Sequence, residues 1–274
     1  MVNVKEARIA IAKDTLQVLE GSEKMREALE GTITYLPKIL EQAITQSKRT
    51  KRETMKSENI LATSSFNIHV MENTTILQAC QVLSSEGIPN LCALNFASAK
   101  NPGGGFLRGA NAQEESICKA SGLYICMKDS SMYALNQKDN NFCLYAHSGI
   151  YSPKVPIIKN DHGERIDQPL FVSFVTVPAV NARVAPKKNV DEATIELTMI
   201  ERMDYVLKLM TFHGHRNIIL GCYGCGVFGN SLEMVCRGFR SLLNKYSSDF
   251  DNIYFPCISP NDYATCRLFL GKRS

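Results

Sequence analysis

The feature that most constrains this sequence is a run of three consecutive glycines, Gly103 to Gly105, between an apolar segment and an acidic cluster. The apolar segment, residues 91–96, has the character of a buried strand. Glycines lose much backbone entropy when they become ordered, so three in a row predict a tight loop rather than a helix or strand. The cluster Gln113 to Glu115 follows, and a helical pattern begins there. We therefore expect two carboxylates beside a loop that a ligand can approach closely.

From residue 66 onward, apolar segments alternate with amphipathic segments of helical spacing. The predicted strands cover 66–70, 90–97, 149–158, 170–177, 217–222 and 253–258. The predicted helices cover 75–85, 116–127, 191–212, 231–246 and 261–270, with Thr74 or Thr75 and Ser231 as N-caps. Strands that alternate with helices are typical of a largely parallel sheet covered on both faces. The sequence predicts a three-layer α/β fold with a central mixed, largely parallel sheet.

The first 60 residues show a different pattern. Apolar residues recur at helical spacing over 3–20, with Gly21 as a C-terminal stop, and a second helix is predicted over 36–47. The basic run 48–52 that follows is open to interpretation as a nuclear-localisation or nucleic-acid segment, but we favour a solvated helix end and linker. We predict a helical extension over 1–60 that packs on a core over 61–274, the two forming a single structural unit.

Bulk properties bear on location and redox state. The chain of 274 residues has a mild net charge of +4 and 45% hydrophobic residues. No secretory signal or membrane span is evident, so we expect an intracellular protein, cytoplasmic or nuclear. Ten cysteines lie mostly in apolar runs and are expected to be reduced core residues. Cys222 and Cys225 form a C-x-x-C, but a redox or zinc interpretation needs a helix start or a second pair at metal spacing, and neither is evident.

A second glycine-rich segment, residues 221–230, lies between a predicted strand and a predicted helix. The backbone amides of such a loop and the positive end of the next helix form an anion site. Two glycine loops that follow two strands can grip one ligand at the carboxyl edge of the sheet, and a diphosphate fits this arrangement. Residues 224–229 also match the G-x-G-x-x-G dinucleotide motif. We disfavour a dinucleotide enzyme because no acidic residue ends the next predicted strand.

The two glycine segments and the Gln-Glu-Glu cluster resemble the microbial-type poly(ADP-ribose) glycohydrolases, which have a macrodomain-like fold. The resemblance assigns the general acid/base role to Glu115, the orientation of ribose hydroxyls to Glu114 and support of the loop to Gln113. It implies that phosphates are held by Gly226, Val227 and neighbouring amides, and that Phe228 packs against a ribose. The full set of expected substrate-binding residues is Asn95, Asn101, Gly103, Gly104, Gly105, Gln113, Gly224, Cys225, Gly226, Val227, Phe228 and Gly229.

The adjacency of Glu114 and Glu115 favours a mechanism with one acid. Side chains of neighbouring helical residues diverge by about 100°, so the two carboxylates are not expected to flank one bond as acid and nucleophile. One glutamate would protonate the leaving ribose oxygen and then act as base toward water. A helix N-terminus favours the carboxylate form, whereas a general acid needs a raised pKa. Burial beneath the ligand would have to supply that rise.

The predicted activity is therefore hydrolysis of ribose–ribose bonds in poly(ADP-ribose). Poly(ADP-ribose) or an ADP-ribosylated protein would be the substrate, and ADP-ribose the product. Two alternatives remain open: hydrolysis of a mono-ADP-ribosyl adduct on protein or nucleic acid, and a non-catalytic ADP-ribose reader. The carboxylate pair argues against a reader, which needs no acid. We expect no cofactor, no metal, no membrane association and no direct nucleic-acid binding.

Overall fold

The computed structural model describes residues 3–54, 66–138 and 143–271 of the chain. Within these ranges seven strands form one sheet: β1 Ile33–Tyr35, β2 Asn67–Met71, β3 Leu91–Phe96, β4 Gly149–Lys159, β5 Arg165–Val177, β6 Asn217–Ile219 and β7 Asn252–Pro256. The same ranges contain ten α-helices: α1 Val4–Leu19, α2 Arg26–Glu30, α3 Pro37–Thr54, α4 Ile76–Ser85, α5 Gln113–Ala120, α6 Leu123–Met127, α7 Ser131–Lys138, α8 Glu192–Phe212, α9 Leu232–Lys245 and α10 Pro260–Leu270.

The strand order across the sheet is β1-β4-β5-β3-β6-β7-β2. Every neighbouring pair from β5 to β2 is parallel, while β1 and β4 add an antiparallel edge. The predicted mixed, largely parallel sheet is confirmed. β3 lies in the middle, with β5 on one side and β6 on the other. The loops that follow β3 and β6 therefore emerge side by side at one edge of the sheet.

Two hydrophobic cores lie on opposite faces of this sheet, as the three-layer prediction requires. In β3, Cys92 and Leu94 point into the core that contains buried residues of α8, α9 and α10. Leu91 and Ala93 point into the other core, which contains buried residues of α1, α4, α5 and α6. This alternation follows from the two-residue period of a strand. Because both faces are covered, β3 reads in the sequence as a continuous apolar run.

Helix starts follow the capping residues seen in the sequence. Thr75 accepts a hydrogen bond from the Gln78 amide, and Gln78 bonds back to the Thr75 amide, so α4 begins with a complete capping box. Asp191 caps α8 and Ser231 caps α9 through their side chains alone, which accept hydrogen bonds from the amides of Thr194 and Met234. These side chains satisfy amides that have no partner inside the helix.

Three parts of the fold differ from the prediction. α3 continues through the basic run to Thr54 instead of ending near residue 47. β1 lies within the segment expected to be helical, and it pairs with β4. The helix predicted over 116–127 is two helices, because the Ser121 hydroxyl bonds back to the Ile117 carbonyl and Ser121 pairs with Ile157 of β4. That long-range pairing is not encoded in local helical spacing.

The N-terminal helix α1 is tied to the core by an ion pair between a half-exposed aspartate and a buried lysine. Lys159 at the end of β4 is only 2% exposed, and its Nζ lies 2.7 Å from Asp14 Oδ2 and 2.8 Å from the Ile11 carbonyl oxygen. The Thr15 hydroxyl donates to the carbonyl oxygen of Lys119 in α5. α1 therefore supports the helix that carries the Gln-Glu-Glu cluster. Among the described residues, no helix combines the length and apolar character needed to cross a bilayer.

Candidate active site

A cavity of about 660 Å³ opens at the carboxyl ends of β3 and β6, between the two glycine loops. Of the residues expected to bind substrate or act in catalysis, those that line it are Asn101, Gly104, Gly105, Gln113, Glu114, Glu115, Gly224, Cys225, Gly226, Val227 and Phe228. Asn95, Gly103 and Gly229 lie outside the lining. The fold thus brings two segments more than a hundred residues apart in sequence to opposite walls of one cavity.

The first glycine loop is shaped around Glu115. Glu115 Oε1 accepts a hydrogen bond from the Gly105 amide at 2.9 Å, and its Oε2 accepts one from the Ala112 amide at 3.1 Å. Gly104 has φ +59°, and a Cβ added there would lie 2.3 Å from Glu115 Oε1 and 3.2 Å from Glu114 Oε2. Only glycine leaves room for the two carboxylates beside the backbone. The carboxyl groups of Glu114 and Glu115 both lie against Gly104. The two side chains therefore do not point apart at their ends, as helical geometry had led us to expect.

Glu114 lies deeper than Glu115. It is 3% exposed, and it accepts hydrogen bonds from the Ser98 amide at 2.8 Å and from Asn95 Nδ2 at 3.3 Å. Burial raises the pKa of Glu114 to about 8, although these donors and the Gly103 amide oppose the rise and the charge of Glu115 adds to it. The structure therefore places a carboxyl group that holds a proton at neutral pH beside the glutamate assigned as acid/base.

Two amide side chains fix the cluster to β3. Gln113 Oε1 accepts from the Phe96 amide and Gln113 Nε2 donates to the Leu94 carbonyl oxygen, both at 2.8 Å, so the side chain pairs with the strand backbone. Asn95 is fully buried behind Glu114 and bonds it together with Thr176 of β5. Asn95 thus contacts a carboxyl group rather than the cavity, while Asn101 lines the cavity at the entrance of the loop.

The second glycine loop presents free amides to the cavity. Within the described part of the chain, the amides of Gly226, Val227 and Phe228 donate to no protein acceptor. Gly224 has φ +75°, and a Cβ there would clash with Ala179. Asn230, a residue that the sequence analysis did not single out, closes the loop by donating to the carbonyl oxygens of Gly224 and Val180. These contacts hold the free amides in place as an anion site.

A buried arginine that the sequence did not mark holds the backbone segment beside Phe228, a residue that lines the cavity. Arg202 of α8 has no exposed surface, and it donates to the carbonyl oxygens of Pro178, Leu144 and Tyr145. The ring of Tyr145 lies 6.0 Å from that of Phe228, between centroids. Arg202 Nε also donates to His147 Nδ1, and burial together with the Arg202 charge lowers the His147 pKa to about 4. His147 is therefore a neutral acceptor.

Thr75 and Asp161 also line the cavity, and the sequence marked neither of them as a site residue. The Thr75 hydroxyl at the start of α4 donates to Asp161 Oδ2 at 2.6 Å, and both residues line the cavity. Asp161 belongs to the turn between β4 and β5. No local motif marks it, since only the tertiary fold brings this turn to the cavity. Arg108, whose side chain is exposed, also lines the cavity.

The site combines an anion-binding loop at one wall with paired carboxyl groups at the other. Free amides suit a diphosphate, and a carboxyl group beside the cavity suits proton transfer to a leaving oxygen. With its three-layer mixed sheet, this arrangement defines the class as a macrodomain-like hydrolase for a sugar that carries a diphosphate.

Comparison with known proteins identifies the family. The family model described as microbial-type PARG, catalytic domain, matches residues 9–160. The crystal structure of poly(ADP-ribose) glycohydrolase from Thermomonospora curvata is similar, with a TM-score of 0.84 and 31% identity over 96% of this chain and 99% of that one. The Deinococcus radiodurans enzyme in complex with ADP-ribose gives a TM-score of 0.77 and 32% identity over 92% and 99%. A search of curated proteins gave no match.

The chain belongs to the microbial-type poly(ADP-ribose) glycohydrolase family. It is an enzyme of the glycosidase class, as the sequence predicted. A third similar structure, with 29% identity over 96% of this chain and 99% of that one and a TM-score of 0.82, is the T. curvata enzyme bound to the inhibitor ADP-HPD.

Proposed function

We propose that the protein hydrolyses the ribose–ribose O-glycosidic bonds of poly(ADP-ribose) with Glu115 as general acid and base, and releases ADP-ribose. The observation that carries this assignment is the placement of Glu115 at the cavity, directly against the first glycine loop and opposite free amides on the second. The D. radiodurans relative binds ADP-ribose and the T. curvata relative binds the inhibitor ADP-HPD. A ligand of this kind spans both walls of the cavity in our proposal.

Substrate binding uses the second loop first. The amides of Gly226, Val227 and Phe228 donate to the diphosphate oxygens, and the Phe228 ring packs against the adjoining ribose. Glu114, which holds a proton at neutral pH, donates to a ribose hydroxyl and orients the sugar. Asn101, which lines the cavity, completes the contacts around that ribose. Asn95 acts as a positioning residue, since it bonds Glu114 and does not line the cavity.

The reaction then needs one proton donor. Glu115 in its acid form protonates the leaving ribose oxygen while the bond from that oxygen to the anomeric carbon breaks. The anomeric carbon develops oxocarbenium character, which the nearby diphosphate stabilises. Water attacks this carbon and gives one proton back to Glu115, so the enzyme is regenerated and the hydroxyl stays on ADP-ribose.

Mono-ADP-ribosyl hydrolysis and ADP-ribose reading are the alternative functions. Both use the same diphosphate loop, so that loop does not distinguish them. A protein that only reads ADP-ribose has no use for a carboxyl group held in acid form beside the sugar, which favours catalysis. In our proposal the physiological substrate is poly(ADP-ribose) carried on a modified protein, without direct binding of nucleic acid.

The matched variants Glu115→Gln and Glu114→Gln test the assignment. Each exchange keeps the size of the side chain and removes one carboxyl group. We expect Glu115→Gln to lower kcat by about 10³-fold, the usual contribution of a general acid, with a smaller change in KM. Glu114→Gln keeps a hydrogen-bond donor, so we expect it to raise KM with a smaller fall in kcat. Release of ADP-ribose from automodified carrier protein is the measurement.

Binding of ADP-ribose by calorimetry serves as the control, and both variants should retain it. Full activity of Glu115→Gln would remove Glu115 from the acid/base role. If Glu114→Gln lowered kcat by about 10³-fold and Glu115→Gln did not, we would assign the acid/base role to Glu114, whose raised pKa suits an acid. Binding of ADP-ribose without release from any poly- or mono-ADP-ribosyl substrate by the wild type would favour a reader.

A further inference from the structure

Three cysteines that are distant in sequence meet behind the second glycine loop. Cys222 begins that loop, Cys257 directly follows β7, and Cys266 lies in α10. Their Sγ atoms all lie within 4.8 Å of one another. A fourth thiol is close, since Cys236 Sγ of α9 lies 3.6 Å from Cys266 Sγ. The sequence shows no metal-ligand spacing here because the three cysteines come from separate segments. One lies in the second glycine loop, one directly after β7, and one in α10.

The local C-x-x-C does not form the cluster. The thiol of Cys225 donates toward the Tyr223 carbonyl oxygen, whereas Cys222 contacts Cys257 and Cys266. The pairing that matters is therefore tertiary. This explains why the C-x-x-C lacked a second pair at metal spacing in the sequence.

The spacing of the three sulfurs is close to what a thiophilic cation requires. Zn–S bonds of about 2.3 Å place thiolate sulfurs about 3.8 Å apart in a tetrahedral site. Sulfurs that already lie within 4.8 Å need to move inward by less than about 1 Å each to reach that spacing. Cys236 or a water molecule from the cavity can take the fourth position, because a zinc site accepts either.

The burial of the cysteine cluster and its connection to the cavity both favour the binding of an ion. Cys257 and Cys266 have no exposed surface, so bound thiolates there are shielded from competing water. Cys222 lines the substrate cavity and gives an ion a path to the cluster. Single buried cysteines act as small apolar core residues, and Cys80 in α4 is one of that kind. Three thiols in mutual contact, one of which lines a cavity, are not explained by core packing alone.

We propose that Cys222, Cys257 and Cys266 form a binding site for one thiophilic divalent cation, for which Zn²⁺ is the probe. Binding replaces three S–H bonds by three metal–sulfur bonds and releases three protons to solvent. The ion joins the start of the second glycine loop to the end of β7 and to α10. It therefore fixes the base of the loop whose amides face the cavity.

The test uses the full chain without an affinity tag, reduced with a phosphine so that all thiols are free. The protein is loaded with Zn²⁺, dialysed, and assayed for metal per chain. Loading with Co²⁺ adds a thiolate-to-cobalt absorption band that reports sulfur ligation directly. We expect about one ion per chain, the cobalt band, and a midpoint of thermal unfolding several degrees higher with Zn²⁺ than without it.

The variants Cys257→Ala and Cys266→Ala should each weaken Zn²⁺ binding by at least about tenfold and lose the cobalt band. Cys80→Ala is the matched control, a buried cysteine outside the cluster, and it should bind metal as the wild type does. Cys222 lines the cavity, so Cys222→Ala is the variant whose Zn²⁺ binding tests the proposal if Cys257→Ala and Cys266→Ala fail to fold. No retained metal in the wild type, or equal binding by Cys222→Ala and wild type, would overturn the proposal.

Discussion

Glu114 occupies the second position of α5, where the helix N-terminus ordinarily stabilises a carboxylate. Its pKa is nevertheless raised to about 8, chiefly because burial removes water from the charged form. The Ser98 amide and Asn95 side chain recover part of that lost solvation. Helix position and acid function conflict in this sequence, and in the structure burial raises the pKa of Glu114 despite its place at the helix start.

This shift makes stability depend on pH in a defined direction. The folded pKa of Glu114 lies above its ordinary value of 4.5, so between pH 4.5 and about 8 the folded state binds more protons than the unfolded state. Stability is therefore lost as pH rises through this interval. Relative to Glu114→Gln, which cannot titrate, we expect the wild type to lose on the order of 4 kcal/mol in its free energy of unfolding between pH 5 and pH 9. The measurement is urea unfolding of both proteins across this pH range. Parallel dependence of their unfolding free energies on pH would contradict the prediction.

Residues that form the site differ in how far a sequence can reveal them. Gly104 and Glu115 were predictable because the loop geometry needs a glycine directly beside a carboxylate, and both belong to one short segment. Arg202 and Asn230 were not predictable. Arg202 bonds carbonyl groups from distant segments, and Asn230 bonds the distant Val180 as well as Gly224 of its own loop, so neither role follows from a local pattern.

At the scale of elements, the loop of residues 97–112 is held by side chains from the helix that follows it. Glu115 accepts from the Gly105 amide in the middle of the loop and from the Ala112 amide at its end, so loop and helix start form one hydrogen-bonded unit. Positive φ at Gly104 lets the backbone turn without a side chain in the space that the carboxylate needs. A change in this loop should therefore act on catalysis through the position of Glu115.

The variant Gly104→Ala tests this coupling. Its Cβ would lie 2.3 Å from Glu115 Oε1 and must displace that carboxyl group. We expect at least a tenfold fall in kcat and a loss of about 1 kcal/mol in the free energy of unfolding from the strained φ. Gly87→Ala is the control, because Gly87 has φ +75° with open space around it. It should lose similar stability and keep its activity. Equal activity of both variants would show that the loop does not position Glu115.

Elements with strong local signals were predicted well, and those set by tertiary contacts were not. α4, α8 and α9 begin at capping residues that the sequence displays. β1 is three residues long and is stabilised by pairing with β4, so its own sequence carries little information. Gly122, between α5 and α6, is set by a tertiary contact, since the Met25 sulfur lies so close that a Cβ at position 122 would clash with it.

For the whole molecule, we propose that residues 1–60 and 61–274 form a single structural unit. β1 extends the central sheet, and α1 contributes Ala12 and Leu19 to one of the two cores. The pair Asp14–Lys159 joins this part of the chain to β4, with the lysine almost fully buried. Residues 55–60, at the proposed boundary, lie outside the described ranges. The basic run 48–52 is part of α3.

The variant Asp14→Asn tests this unity. It leaves the buried Lys159 charge with fewer partners, so we expect a loss of about 1–2 kcal/mol in the global free energy of unfolding, in a single transition. Glu23→Gln removes an exposed ion pair with Arg26 and should change stability by less than about 0.5 kcal/mol. Denaturant unfolding followed by circular dichroism and tyrosine fluorescence gives the comparison. Two separate transitions, with only the first affected, would show that the extension unfolds alone.

The position of β2 at the edge of the sheet has a consequence for the order of assembly during protein synthesis. β2 leaves the ribosome early, yet among the strands of the described residues its one partner is β7, and Asn67–Met71 pairs along the full length of Asn252–Pro256. Until residue 256 emerges, β2 has no strand to join and β6 is an open edge that can pair with other chains. Closure between distant strands is intrinsically slow. A nascent chain therefore holds Glu114 and Glu115 long before the sheet is complete, and the arrival of β7 gives β2 its place in the sheet.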